Sequence, residues 1–343
     1  MTDKYTGVSM KSTKRERLRW VDYAKGIGIF LVVFGHTIRS LVNSSILQQS
    51  KVVLFSDQWI YGFHMPLFFF LSGLFLERAA SKPLKDFLIN RLKIIVYPYV
   101  VWSLLQGILQ VIASSNTNNP VFFGDLWRII YDPLLQFWFL YTLFLIILAY
   151  AITRKLGVSP FYFLIISILI YLLHIFGVSF GPWGMLYLVR RYAIYLALGV
   201  LFGLQHNLLS ELNHFKNPTL SFVMISGFLG VALAVTFNLV EQTWAIPLIA
   251  MLGITASISL AILLEKSDTA YFVEQWGRLS LEIYVAHTIA SAILRIVLQK
   301  FFGFVEPITH VVLGTAIGIY APILLVMICQ RIGFRYMFTF GYR

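Results

Sequence analysis

The chain has 343 residues, 59% of them hydrophobic and only 12% charged, with a mean hydropathy of +0.78; soluble globular domains are far more polar, so this protein belongs in lipid. Its 27 Lys and Arg outnumber 15 Asp and Glu, but the positive charge lies between apolar runs rather than on one folded face, which excludes a nucleic-acid binder. The single cysteine, Cys329, excludes an internal disulfide and a paired-thiol metal site.

Residues 1–20 are polar and basic, without the apolar core and cleavage site of a secretory signal, so the first helix is expected to serve as the anchor. A bilayer core about 30 Å thick requires about 20 apolar residues per helix. The segments 21–42, 57–76, 91–114, 133–153, 160–178, 183–204, 218–240, 244–264, 278–299 and 309–331 meet that length. The sequence therefore predicts an all-α, polytopic bundle of about ten spanning helices. A basic cytoplasmic segment covers 1–20, one membrane domain covers 21–335, and a cytoplasmic tail covers 336–343. The stretch Ser114 to Pro120 and the segment Glu265 to Glu274 read as loops. No internal repeat points to the inverted halves of a secondary transporter.

Loop charge sets the expected orientation. With a cytoplasmic N-terminus, that side holds the basic N-terminal residues, Arg78, Lys82, Lys85, Arg91, Lys93, Arg154, Lys155, Lys216, Lys266, Arg278, Arg331, Arg335 and Arg343, while the other side keeps Lys51, Arg128 and Lys300. Both termini are thus expected in the cytoplasm. Lys25, Arg39, Arg190, Arg191 and Arg295 fall within spans or at their ends, where a cation is costly and usually functional.

Alternating helix direction converts residue number into depth. His36, His64, Arg190 and Arg191 share a level in the outer half, with His287 near the middle; Lys25, Arg91 and Lys93 form a layer at the inner face. Lys25 and His36 are separated by eleven helical steps, roughly 16 Å at ~1.5 Å per residue, which is about the reach of an extended pantetheine arm. The same two layers suit an ion pathway equally well. His174, His206, His214 and His310 read as packing histidines. The aromatics Trp59, Tyr61, Trp138, Tyr141, Trp183 and Trp244 mark one interface, and of these Trp138 is retained as a sugar contact. Phosphate-loop, HExxH, GxSxG and GxGxxG motifs are absent from the sequence, which removes support for ATP-driven transport, metalloprotease and serine-hydrolase chemistry.

WVDYAKGIGIFLVVFGHTI, then FHMPLFFFLSGLFL, then FLINRLKIIVYPYVVW, together with the later WGRLSLEIYVAHTIA, resemble the integral-membrane acyltransferase 3 family, in particular its fucose 4-O-acetylase-like branch. The resemblance implies transfer of an acetyl or other short acyl group from acyl-CoA to a surface or secreted carbohydrate at a bacterial plasma membrane. Acyl-CoA, a carbohydrate acceptor and the bilayer are then the partners, and no nucleic acid is expected. Lys25 and His36 match the paired functional positions of the family's first helix, and Arg91 opens its basic segment. This chain departs in having Lys25 where Arg is commoner and a close Arg91, Lys93 spacing; Lys holds phosphate as a point charge without the guanidinium fork.

Thioester transfer to an alcohol needs a base, donors for the developing oxyanion and alignment of two substrates. His36 is expected to be the base, with Ser72, His64, Tyr284 and His287 as orienting or oxyanion donors. Lys25, Arg91 and Lys93 are expected to hold the CoA phosphates, and Arg190 and Arg191 to steer an anionic or phosphate-linked acceptor. No metal or prosthetic cofactor is required. The rival reading is a transporter or flippase for a small solute or lipid-linked sugar, for which Pro66 in HMPLFF would supply a helix break.

Overall fold

A computed structural model of the chain describes residues 18–113, 122–205, 211–334 and 336–340. The predicted Ser114 to Pro120 loop, His206 and the first basic residues lie outside them. All regular secondary structure among the described residues is helical, and the expected all-α bundle is what forms. Among the described residues, eight helices are long and apolar enough to cross a membrane. The two expected spans missing from that set are 57–76, which is interrupted, and 160–178, whose helix has 16 residues.

Helix α1 (Arg19–Asn43) is unbroken. The next expected span divides into α2 (Lys51–Tyr61) and α3 (His64–Gly73). Pro66 explains the division: it has no N–H for the Gly62 carbonyl and its ring would clash there, so the chain restarts with Pro66 in the first turn of α3. Short α4 (Leu76–Ala80) follows, then α5 (Leu84–Arg91) and α6 (Tyr97–Ala113), joined by a π-helical turn over Leu92–Val96. Pro98 withholds another ladder hydrogen bond at that junction, so the wider turn falls there.

Two 3₁₀ segments, Phe123–Ile130 and Leu135–Phe137, lead into α7 (Trp138–Lys155). Then come α8 (Pro160–Ile175), α9 (Gly184–Leu204), α10 (Asn217–Thr236) and α11 (Ile246–Ser267). Amphipathic α12 (Tyr271–Arg278), α13 (Ser280–Ile296) and α14 (Pro307–Arg331) complete the order. The Glu306 side chain caps α14 by accepting from Ile308 N (2.9 Å) and Thr309 N (2.5 Å).

Helix α1 is the hub, packed against α2, α3, α11, α12, α13 and α14. Its crossing with α12 is nearly backbone on backbone. A Cβ at Gly26 would lie 1.9 Å from Val273 O, and one at Gly277 would lie 1.7 Å from Asp22 O. Small residues permit this approach. Gly73 does the same between α3 and α9, where a Cβ would meet Leu196 O at 2.2 Å. The outer surface is apolar, as in the stripe Phe222, Ile225, Leu229 and Leu233 along α10, which suits hydrocarbon. Below, the end of the bundle carrying Arg19 is the amino-terminal face, and the opposite end is the distal face.

Candidate functional site

The unbroken α1 carries His36 to the level where α2 ends and α3 begins, and α13 brings His287 to the same level. The rings of His36 and His287 lie 5.2 Å apart between centroids. Tyr61, at the end of α2, stands edge-on to His36 (6.3 Å) and perpendicular to His64 (4.6 Å). His64 and His287 are both 1% exposed. The structure thus unites three of the expected site histidines around a tyrosine that the sequence offered only as an interfacial aromatic.

Hydrogen bonds fix the tautomers. His64 Nδ1 lies 2.8 Å from Ile60 O, and His287 Nδ1 lies 2.7 Å from Tyr284 O. Carbonyl oxygens only accept, so each Nδ1 carries the proton and each neutral ring keeps a lone pair on Nε2. His287 Nε2 is buried without a hydrogen-bond partner among the described residues. These two histidines are therefore acceptors, and the expectation that they donate to an oxyanion is corrected. The other two expected donors are committed as well. Tyr284 donates its hydroxyl to Gln136 O. Ser72 donates to Phe68 O at 2.7 Å in its own helix, and it lies eight residues beyond His64, about 12 Å along α3, away from the histidines.

A buried amide cluster braces α13. Gln136 Nε2 donates to Gln106 Oε1 (2.8 Å) and to Thr288 Oγ1 (2.9 Å), and Thr288 Oγ1 donates to Gln106 Oε1 (3.1 Å). Tyr284 and Thr288 flank His287 on α13, so Gln136 holds the helix on both sides of that histidine. The preceding residue, Leu135, has φ +46°, a costly left-handed conformation for a branched side chain. Sequence reasoning missed this cluster, because a glutamine beside Trp138 carries no signal of what it will meet.

A cavity of about 220 Å³ lies on the distal side of the histidines, lined by Arg39, Asp57, Tyr61, Arg191, Tyr195 and Glu241 among others. Arg39 forms a two-point ion pair with Asp57 (2.6 and 2.9 Å), and its guanidinium carbon sits 3.2 Å from the Tyr61 ring centre. Arg191 reaches the cavity and donates to Tyr187 Oη at 3.3 Å. Arg190 does not: it turns to Val178 O and the Phe180 ring. Neighbouring helical positions point about 100° apart, so one face cannot present both. Trp138 stands behind Tyr192, 5.2 Å between rings, and it is Tyr192 that lines the cavity.

At the amino-terminal face, Asp22 and Glu274 are buried at 4% exposure each. Arg19 donates to Glu274 (3.0 Å) and Asp268 (3.0 Å), and Arg278 donates to Glu274 and lies 3.7 Å from Asp22. Burial alone would raise the Glu274 carboxyl, but hydrogen bonds from Arg19 and Arg278 outweigh it and hold the group below the usual carboxylate range. Lys25 lies one helical turn from Asp22. Arg91 is half-buried, its guanidinium 5.1 Å from the Phe87 ring and its Nε without a hydrogen-bond partner among the described residues. Lys93 is exposed, 5.9 Å from the Phe340 ring. The segment 336–340 folds back along α6, with Tyr97 Oη donating to Tyr336 O (2.6 Å) and Trp102 Nε1 to Met337 O (2.9 Å). Lys25 and the Arg91, Lys93 pair are therefore carried by separate helix groups. Of the histidines expected to pack, His310 bonds Phe304 O at 2.9 Å and His174 lies between Tyr171 and Tyr187; His214 is exposed instead.

No curated protein and no solved structure matches the chain. The profile of the acyltransferase domain matches residues 18–327, a range that takes in α1 with Lys25 and His36, the α2–α3 break, and α13 with His287. The chain belongs to the integral-membrane acyltransferase family 3.

Proposed function

We propose that this protein is a membrane O-acyltransferase that moves an acyl group, acetyl foremost, from cytoplasmic acyl-CoA to a hydroxyl of an extracytoplasmic or lipid-linked glycan at a bacterial plasma membrane. Both termini and the amino-terminal charge layer face the cytoplasm in this reading. The observation that carries it is the His36–His287 pair, 5.2 Å between rings, lying between that charge layer and the distal cavity. In this reading Lys25 on α1, and Arg91 and Lys93 from their separate helix group, contribute charge for the CoA phosphates, and the thioester extends along α1 over roughly 16 Å to His36.

In this mechanism His36 takes the proton of the acceptor hydroxyl. Its oxygen bonds to the thioester carbon, the C–S bond breaks, and the sulfur leaves as CoA thiol after the proton passes back to it. His287, with a lone pair on Nε2, is suited to share the proton that His36 takes. The cavity favours a neutral, hydroxyl-rich acceptor: Asp57 and Glu241 balance Arg39 and Arg191 among its lining residues. The α2–α3 break is a feature a transporter would share. Purified protein in liposomes, given labelled acetyl-CoA and an oligosaccharide acceptor, separates the two. The expected result is base-labile label in the sugar; passage of unmodified sugar with no acyl transfer overturns the proposal.

A further inference from the structure

The acyl-transfer reading leaves one chemical role unfilled. A tetrahedral intermediate carries its negative charge on the former carbonyl oxygen and needs a hydrogen-bond donor fixed beside it. Ser72 and Tyr284 have spent their hydroxyl protons on Phe68 O and Gln136 O, and the N–H groups of His64 and His287 lie on Ile60 O and Tyr284 O.

We infer that Tyr61 is the oxyanion donor. It stands between the His36 and His64 rings at 6.3 and 4.6 Å. Its hydroxyl is buried and finds no acceptor for its proton among the described residues, the Arg39 guanidinium beside it being only a donor, and the residue also lines the distal cavity through which an acceptor would arrive. Two further features hold it there. Gly35, immediately before His36, leaves room for the ring: a Cβ at that position would lie 3.2 Å from Tyr61 Cε2 and 3.6 Å from the hydroxyl oxygen. The phenol therefore lies against the α1 backbone, beside the base. On its other side, the Arg39 guanidinium, pinned by Asp57, covers the ring face at 3.2 Å. A cation on the face draws electron density from the ring and makes the O–H a stronger donor.

The step balances without an added reagent. His36 removes the acceptor proton, the new C–O bond forms, and the carbonyl π electrons move onto oxygen, where the Tyr61 O–H donates a hydrogen bond and keeps its proton. When the carbonyl re-forms, the C–S bond breaks and the thiolate takes the proton from His36. Tyr61 is a catalytic residue in this account because it touches the reacting oxygen. Arg39 and Asp57 are positioning residues that act through it.

The inference rests on the acyl-transfer reading, and the test keeps the two apart. Full-length Tyr61→Phe is purified beside the wild type, and turnover and KM are measured for acetyl-CoA and for a neutral oligosaccharide. Loss of one preorganised donor lowers turnover by about 10²- to 10³-fold, with both KM values within about twofold, because the contact strengthens only in the transition state. A second variant, Gly35→Ala, keeps the hydroxyl but presses on the ring, and its turnover falls by about tenfold or more. Full activity in either variant overturns the assignment. So does a raised acceptor KM with unchanged turnover in Tyr61→Phe, which would make the hydroxyl a sugar contact. A wild-type protein that forms no ester defeats the acyl-transfer reading itself.

Discussion

Gln136→Leu is the most informative perturbation of the scaffold around the histidines. Leucine keeps the bulk but removes the donor that reaches Gln106 Oε1 at 2.8 Å and Thr288 Oγ1 at 2.9 Å. Polar side-chain bonds between membrane helices contribute about 0.6 kcal/mol on average and up to ~1.7, so losing both destabilises the fold by about 1–3 kcal/mol. The bond to Thr288 anchors α13 one residue beyond His287, so its loss loosens the approach of His287 to His36, while the Tyr284 bond to the residue-136 backbone carbonyl remains. At about 1.4 kcal/mol per tenfold, turnover falls by roughly 10- to 100-fold while KM for acyl-CoA holds. Thermal unfolding in detergent and a turnover assay on the same preparation measure both. Thr288→Val provides the cycle: Gln136→Leu and Thr288→Val should couple by more than about 0.6 kcal/mol. If Gln136→Leu is neutral in stability and turnover, the amide cluster does not hold the histidine pair.

Arg91→Ala, which removes a half-buried cation whose Nε has no partner among the described residues, raises KM for acyl-CoA by about tenfold with little change in turnover; unchanged donor kinetics in folded protein reject it as a phosphate contact. Glu274 titrates below the ordinary carboxylate range in the fold, so its bonds to Arg19 and Arg278 contribute stability that is complete above that range. That stability is lost as pH falls through the lowered value. Melting temperature followed downward from about pH 5 should fall more steeply in wild type than in Glu274→Gln, and parallel curves would refute the linkage. Glu241→Gln leaves the cavity with excess positive charge and should shift acceptor preference from neutral toward uronic-acid oligosaccharides by several-fold in kcat/KM.

Periodicity and length were enough for most of the bundle, because an apolar span of about 20 residues has few alternatives in a bilayer. The division of 57–76 was readable too, in Pro66, since a missing N–H acts within its own turn. The lengths of the 3₁₀ segments before α7 were not, because tertiary contacts decide them. Within the site, depth and the family resemblance singled out His36, His64 and His287, and the structure brings His36 and His287 together. Depth says nothing about which proton is spent, so Ser72, Tyr284 and two histidines were expected to donate. The Ser72 bond to Phe68 O follows a local i to i−4 pattern that the sequence does contain. Tyr61 and the Arg39–Asp57 pair depend on how α1 meets α2 across 18 positions, and no spacing rule reaches that far. Arg190 and Arg191 looked like one feature in sequence, but the helix separates them by about 100°.

The central claim is that the imidazole of His36 accepts a proton during acyl transfer. His36→Gln keeps much of the volume and the hydrogen-bonding capacity but cannot take a proton near neutral pH. Glycan acylation measured in membranes, with expression matched by immunoblot, should fall by roughly 10²-fold or more in His36→Gln and similarly in His36→Ala, as loss of a general base typically removes 10² to 10⁴, while acyl-CoA binding stays near wild type. Substantial acylation by His36→Gln, with His36→Ala inactive, would make His36 a structural hydrogen-bonding group and contradict the account.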